Sequence, residues 1–206
     1  MRRLLDRAML LQRPRILKYR WLSTCPHISG TPTVWQPVVY LGPGRITMGA
    51  GVQFGWPASL NFHTGYCHLE VTRPEAAIEI GDGAELNNDV FLKSEGPGIR
   101  IGARALIGSA VCVYDSDFHE LHPARRRVGR PAMGAVELGE NVFIGDGVKI
   151  LKGVTIGADT VVGAGSVVVR SLPAGVVAAG NPARVVRALE EETEDPAMMA
   201  RSSGKS

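Results

Sequence analysis

LGENVFIGDGVKILKGVTIGADTVVGAGSVV, Leu138 to Val168, is the stretch that decides the fold. Aliphatic residues stand at 138, 144, 150, 156, 162 and 168, an unbroken period of six, and a Gly usually follows. A helix repeats at 3.6 residues and a strand at two, so neither alone accounts for six. A solenoid of very short strands does. Each hexapeptide supplies one flat strand and one turn. Its aliphatic residue points inward, and the small residue beside it lets the chain turn where a larger side chain would crowd it. Stacked coils pair their backbones in parallel and line up the aliphatic residues as an internal ladder. A single unit cannot bury its apolar row, so several coils are required.

Three earlier segments obey the same rule. ITMGAGVQFG runs from Ile46 to Gly55. IEIGDGAELNNDVFL places Ile80, Leu86 and Leu92 six apart. IRIGARALIGSAVCV does the same with Ile101, Ile107 and Val113. The pattern then stops. VYDSDFHELHPARRRVGRP, Val113 to Pro131, brings two Asp, two His, a Glu and a run of Arg together before the coils resume at Val136. Solenoids take insertions as loops on one face, and loops on a rigid scaffold often carry function. After Val168 the period is lost. SLPAGVVAAGNPARVVRALEEE reads as a turn, an extended segment and a short helix over 183–192. The polar end, TEDPAMMARSSGKS, is expected to be disordered.

The first residues, MRRLLDRAMLLQRPRILKYRWLST, place Leu4, Leu5, Met9, Leu10 and Leu11 on one face of a short helix with Arg on the other. Two readings compete: a helix packed on the body, and a basic amphipathic helix touching an anionic membrane surface. The apolar stretch is broken by Asp6 and Arg7, and no small-residue cleavage site follows, so it does not read as a signal peptide. No run of about 18 apolar residues exists. The organisation expected is therefore an N-terminal helix and lead-in over 1–38, a solenoid over 39–189 with a loop at 114–135, and a tail at 190–206.

Composition is globular, with 45% hydrophobic and 21% charged residues, but Gly is high at 25 and aromatics are low at 6%. A net charge of +3, with Lys and Arg spread out, gives no case for nucleic acid. Cys25, Cys67 and Cys112 have no CxxC or zinc-like spacing, and read as reduced thiols of a cytoplasmic protein.

On these residues the chain resembles the left-handed parallel β-helix of the hexapeptide-repeat acyltransferases, over roughly 39–189. That resemblance implies three hexapeptides per triangular coil, a homotrimer, and acetyl-CoA as co-substrate with no metal. The DSDFHELHP segment is similar to the catalytic segment of sugar and xenobiotic O-acetyltransferases, which makes His119 the implied general base. A neutral imidazole can take the proton of a sugar hydroxyl as it attacks the thioester. Asp115 and Asp117 are the candidates for orienting it. Asn87, with Asn88 as its neighbour, matches the family's acceptor-facing position. Gly145 and Ala164 match positions that present backbone to the pantetheine arm, in a groove between subunits. Arg170, and Arg184 and Arg187 of GNPARVVR, match its basic and phosphate-binding positions. Phe143 and Asp146 depart from the pattern, where several relatives carry Trp and Ser.

The lead-in from Val38 to Asn88 is similar to that of acetyltransferases from polysaccharide gene sets. The acceptor expected is thus a sugar of a bacterial surface polysaccharide or its precursor, with Trp56 and Tyr66 either stacking on a sugar ring or covering the open end of the prism. The location expected is the cytoplasm, with the inner face of the membrane as the sharper alternative. An antibiotic hydroxyl or a nucleotide-linked amino sugar is the alternative acceptor. A metal-binding β-helix using His63, His68, His119 and His122, and a non-catalytic scaffold, are the alternative classes.

Overall fold

The computed structural model describes residues 2–189. A helix, Arg2–Leu22, precedes strands of two to six residues that cycle through three faces. Face A holds His27–Ser29, Arg45–Met48, Ala77–Ile80, Ile99–Ile101, Val136–Leu138 and Thr155–Ile156. Face B holds Thr33–Val34, Gln53–Phe54, Glu85–Leu86, Leu106–Ile107, Phe143–Ile144, Val161–Val162 and Val176–Gly180, then Ala183–Ala188 at its edge. Face C holds Val38–Leu41, Cys67–Val71, Phe91–Ser94, Cys112–Tyr114, Lys149–Ile150 and Val167–Val168. Up to Val168, neighbours within a face are three strands apart in sequence and pair in parallel, which is the signature of a three-sided coil.

The ladder follows from that register. On face B, Phe54, Leu86, Ile107, Ile144, Val162 and Ala178 stack in register, all buried. On face C, Leu69, Leu92, Val113, Ile150 and Val168 do the same. Each hexapeptide also buries a second residue, two before the ladder position: Val142, Val148 and Val154, then Thr160 and Ser166. The period-six reading misses this second row because its residues are smaller and more mixed. Where the row turns polar, the hydroxyls find backbone: Thr160 donates to Pro173 O at 2.6 Å, and Ser166 to Gly163 O at 2.6 Å.

The Gly after the ladder residue has a different task from the one the sequence suggests. At Gly139, Gly145 and Gly157 it does not adopt positive φ; the left-handed residue comes two positions later, at Asn141, Gly147 and Asp159. Coil stacking excludes a side chain instead. A Cβ on Gly139 would lie 2.5 Å from the backbone N of Ala158.

Two terminal features differ from expectation. Residues 183–188 form a strand, antiparallel to Val176–Gly180, and not the start of a helix. The last parallel strand of face B leaves an open edge, and the chain turns back at Gly180–Ala183 to pair with it. The rest of the expected helix and the tail lie outside the described residues. The N-terminal helix spans 21 residues with Pro14 inside it, longer than the short helix expected. It packs beside strand Val38–Leu41. Fully buried Gln12 donates to Phe62 O, and Arg15 donates to Gly65 O at 2.7 Å.

Ile144→Ala is expected to cost about 2–5 kcal/mol, because neighbouring coils cannot collapse into the void. Thr155→Ala, on the outside of the same coil, should cost little. Urea unfolding of both variants checks this; equal midpoints would mean that the ladder is not the core.

Candidate active site

The coils break after Tyr114 and resume at Val136. The two ends of the loop are zipped. Ser116 bridges Met133, Asp117 N donates to Ala132 O at 3.0 Å, and Gly134 N donates to Asp115 O at 2.9 Å. His119 stands exposed just past this stem. Phe118, before it, has φ +57°, an uncommon state for an aromatic residue that must be held by its surroundings. The Phe118 N–H donates to Ser116 Oγ at 2.9 Å, and the ring meets Tyr114 edge-on with centroids 5.8 Å apart. Lys93 Nζ lies 5.0 Å from the same ring. The backbone that carries His119 is therefore clamped.

Behind the clamp, Ser116 Oγ donates to Glu95 Oε2 at 2.5 Å, and Arg73 pairs with Glu95 at 3.0 Å. Partial burial works to raise the Glu95 pKa, but the Ser116 hydroxyl, Arg73 and Lys93 outweigh it and hold the carboxyl below the usual glutamate range. Sequence reading missed Glu95, Ser116 and Lys93. Glu95 lies 21 residues from Ser116 and only coil stacking brings them together.

Neither carboxylate expected to orient His119 does so among the described hydrogen bonds. Asp115 is fully buried and accepts from Ser94 Oγ at 2.7 Å, Glu95 N at 2.7 Å and Gly98 N at 2.9 Å. Its charge organises the turn between faces C and A one coil below. Asp117 Oδ1 accepts from Lys152 Nζ at 2.7 Å, while its buried Oδ2 has no partner among the described residues.

Both asparagine side chains are engaged, Asn87 donating from Nδ2 to Ser59 Oγ at 2.9 Å and accepting at Oδ1 from Asn88 N at 2.8 Å. Asn88 is fully buried, and its amide is spent on Trp56 N, Trp56 O and Leu60 O at 2.8–3.1 Å. It pins the 56–60 loop. Asn87 lines an open cleft of about 370 Å³ on face B together with Trp56, Glu85, Leu106, Phe143 and Asp146. Trp56 is thus a wall of this cleft. Phe143 stands half exposed beside it, at 49%. Asp146 Oδ1 accepts from Ser109 N at 2.6 Å, so the residue caps the neighbouring coil, as Asp82 does for Ala50 at 2.8 Å. Structural capping accounts for Asp at that position. Gly145 and exposed Ala164 are on adjacent coils at the B–C corner; a Cβ on Gly145 would meet Ala164 N at 2.6 Å.

Arg170 is exposed past the last strand of face C. Arg184 and Arg187 lie on the edge strand, opposite Ala179 and Val177, with a register shift between them. That bulge keeps both on the outward side of a sheet whose inward residue is Ala178. A helix would have put two residues three apart on one side; the bulged strand does so by another route.

Face C carries a feature absent from the sequence reading. Tyr19, Tyr66, His68, Phe91, Tyr114 and Phe118 form an unbroken run of rings, with successive centroids 4.5 to 6.2 Å apart, from the N-terminal helix to the catalytic-loop candidate. The signal lay in register: His68 pairs with Phe91, while Lys93, two residues on, pairs with Tyr114. Polar groups line the run, with Glu70 bonded to His68 at 3.2 Å and to Lys93 at 3.2 Å. Burial, with Cys112 nearby, pushes the Tyr114 hydroxyl up to about 12, so it stays protonated at neutral pH. His63 packs on Phe62. Among the described residues no group of three or more His, Cys, Asp or Glu is placed to hold a metal. The three cysteines are free, and burial pushes the Cys67 thiol up to about 12.

Two predictions follow from the clamp. Asp115→Ala should cost on the order of 3 kcal/mol, because several donors lose one buried charge; urea unfolding and loop proteolysis read this out, and an unchanged midpoint would contradict it. The depressed Glu95 pKa stabilises the fold above the ordinary glutamate range, and that gain is lost as pH falls through its lower folded value. The stability gap between wild type and Glu95→Gln should therefore be full at neutral pH and close as the pH drops below the glutamate range. A gap independent of pH would refute the assignment.

Comparison with known proteins fits this architecture. Residues 135–170 match the family model described as bacterial transferase hexapeptide (six repeats). The chain is 40% identical over 115 residues to a candidate acetyltransferase of Saccharomyces cerevisiae, covering 56% of this chain and 58% of that protein. It is 45% identical over 108 residues to nodulation protein L of Rhizobium meliloti, covering 52% and 58%. The chain thus spans about half the length of the curated relatives it matches. Among solved structures, the hexapeptide-repeat acetyltransferase VCA0836 of Vibrio cholerae aligns with TM-score 0.56 and 26% identity over 92% of this chain and 91% of that one. The same protein in complex with acetyl-CoA aligns with TM-score 0.54 and 26% identity, covering 91% and 86%. These neighbours imply the left-handed sense of the coil. Its repeat, its three-sided parallel fold and its relatives make the chain similar to hexapeptide-repeat transferases, with the family model itself matched over residues 135–170.

Proposed function

We propose that the protein is an acetyl-CoA-dependent O-acetyltransferase acting on a sugar hydroxyl of a bacterial surface polysaccharide or its precursor, with His119 as general base. The observation that carries this reading is His119 on a clamped, strained loop at the end of a run of rings. Sugar rings pack their C–H faces on such aromatic surfaces, and the flanking Glu70 and Lys93 offer hydrogen bonds to hydroxyls. The acetyl-CoA-bound Vibrio cholerae neighbour supports the choice of donor.

In this reading the imidazole of His119 takes the acceptor hydroxyl proton as the oxygen attacks the thioester carbonyl. The imidazolium then protonates the departing thiolate. Backbone N–H groups at the turns serve the oxyanion. Gly145 and Ala164 leave room for the pantetheine arm, and the outward pair Arg184 and Arg187, with Arg170, meets phosphates. His119 lies on the loop that leaves the prism after the face C strand Cys112–Tyr114, whereas Asn87 lines the face B cleft. No described hydrogen bond joins the two. A homotrimer completes the site by laying the loop of one copy over face B of the next, where Asn87 holds the acceptor.

His119→Ala should lower acceptor-dependent thiol release from acetyl-CoA by about 10²- to 10⁴-fold while leaving the melting curve unchanged. A panel of monosaccharides, nucleotide sugars and polysaccharide fragments identifies the acceptor. If the folded variant keeps wild-type turnover, His119 is not the base; if wild type releases no thiol with any acceptor and binds no CoA, the reaction itself is wrong.

A further inference from the structure

Among its described side chains, the N-terminal helix, Arg2–Leu22, meets the body through one face. Gln12 is fully buried, Arg15 holds Gly65 O at 2.7 Å, and Tyr19 stacks on Tyr66 at 4.5 Å. At about 100° per residue, Leu10, Pro14, Leu17 and Trp21 fall within roughly 60° of one another on the opposite side. A helix docked on a protein body normally turns charged residues outward. This one turns out Leu10 at 67%, Leu17 at 65% and Trp21 at 83% exposure. Exposed Arg13 and Arg20 border the stripe on one side and Lys18 on the other.

Charge is distributed to match. The helix contains seven Lys or Arg against one Asp, a net +6. The whole chain carries +3, so everything outside the helix sums to −3. The basic excess of the molecule is therefore not spread along the chain, as the sequence alone suggests, but resides on the element that exposes the apolar stripe. Among the described residues no helix is long and apolar enough to cross a membrane. Leucines and a tryptophan flanked by arginines and a lysine are the composition of a helix that lies in a bilayer interface, apolar stripe among the acyl chains and cations at the phosphates.

We infer that the outward face of this helix docks the protein on an anionic lipid bilayer. Charge decides between occupants: a second copy of the same helix would bring +6 against +6, whereas an anionic leaflet neutralises it. The docked face with Gln12, Arg15 and Tyr19 stays on the body, so binding needs no unfolding of the helix. The inference is independent of the proposed reaction.

Co-sedimentation of the full chain with vesicles of phosphatidylcholine, with and without phosphatidylglycerol, tests it. The protein should pellet with the anionic vesicles at low salt, and be released by high salt. Leu17→Glu with Trp21→Glu should abolish pelleting, and Arg13→Gln or Lys18→Gln should each weaken it about fivefold. Circular dichroism melting of every variant should match wild type, since the substituted residues are exposed; the two charge variants provide the test should the double variant not fold. Failure to pellet with anionic vesicles overturns the inference. So does pelleting that is indifferent to Trp21 and Leu17. A change in oligomer mass in those variants without vesicle binding overturns it too, by making the stripe a contact between copies.

Discussion

Everything in this molecule depends on one constraint: each coil must repeat the last closely enough for its inward residues to stack. Phe54 over Leu86 over Ile107 over Ile144 is a column in which no member is buried without its neighbours. That requirement fixes the period at six, allows only small residues where coils touch, and makes the turns repeat their backbone angles. It also makes the outer surface a lattice. A residue's place in the hexapeptide determines which face it decorates and which residue of the next coil it meets.

The chemistry is written on that lattice. Face C places His68 beside Phe91, and Tyr114 beside Lys93, by register alone, and the result is a continuous aromatic run. The loop at the end of the run is anchored by groups that coil stacking brings together: Asp115 on the turn below, Glu95 on Ser116, Lys152 on Asp117. A loop on such anchors can hold a side chain in one direction without a core of its own. The strained Phe118 is tolerated because its ring and its N–H are both held.

The fold was legible because its determinants are local. An inward aliphatic and a following Gly recur at a fixed interval, and no distant residue is needed to see them. The candidate site is legible only where the period is interrupted, so His119 stands out in the sequence and Glu95 does not. Asn87 and Asn88 are adjacent and identical, yet one lines a cleft and the other is consumed by the backbone at Trp56 and Leu60. That difference arises from a loop some 30 residues earlier, outside any linear pattern. Residues 183–188 show the same limit. ARVVRA has apolar residues at spacings that suit a helix, but the open edge of face B requires a strand partner, and tertiary demand overrides the local pattern.

The central claim is that two copies share each site, His119 from one and Asn87 from the next. Its most direct test mixes two inactive proteins, His119→Ala and Asn87→Ala, unfolds them together and refolds them. Shared sites predict that acetyl transfer returns in the mixture, since some interfaces then combine an intact His119 with an intact Asn87. A mixture as inactive as its parents, alongside wild type that regains full activity by the same treatment, would contradict it.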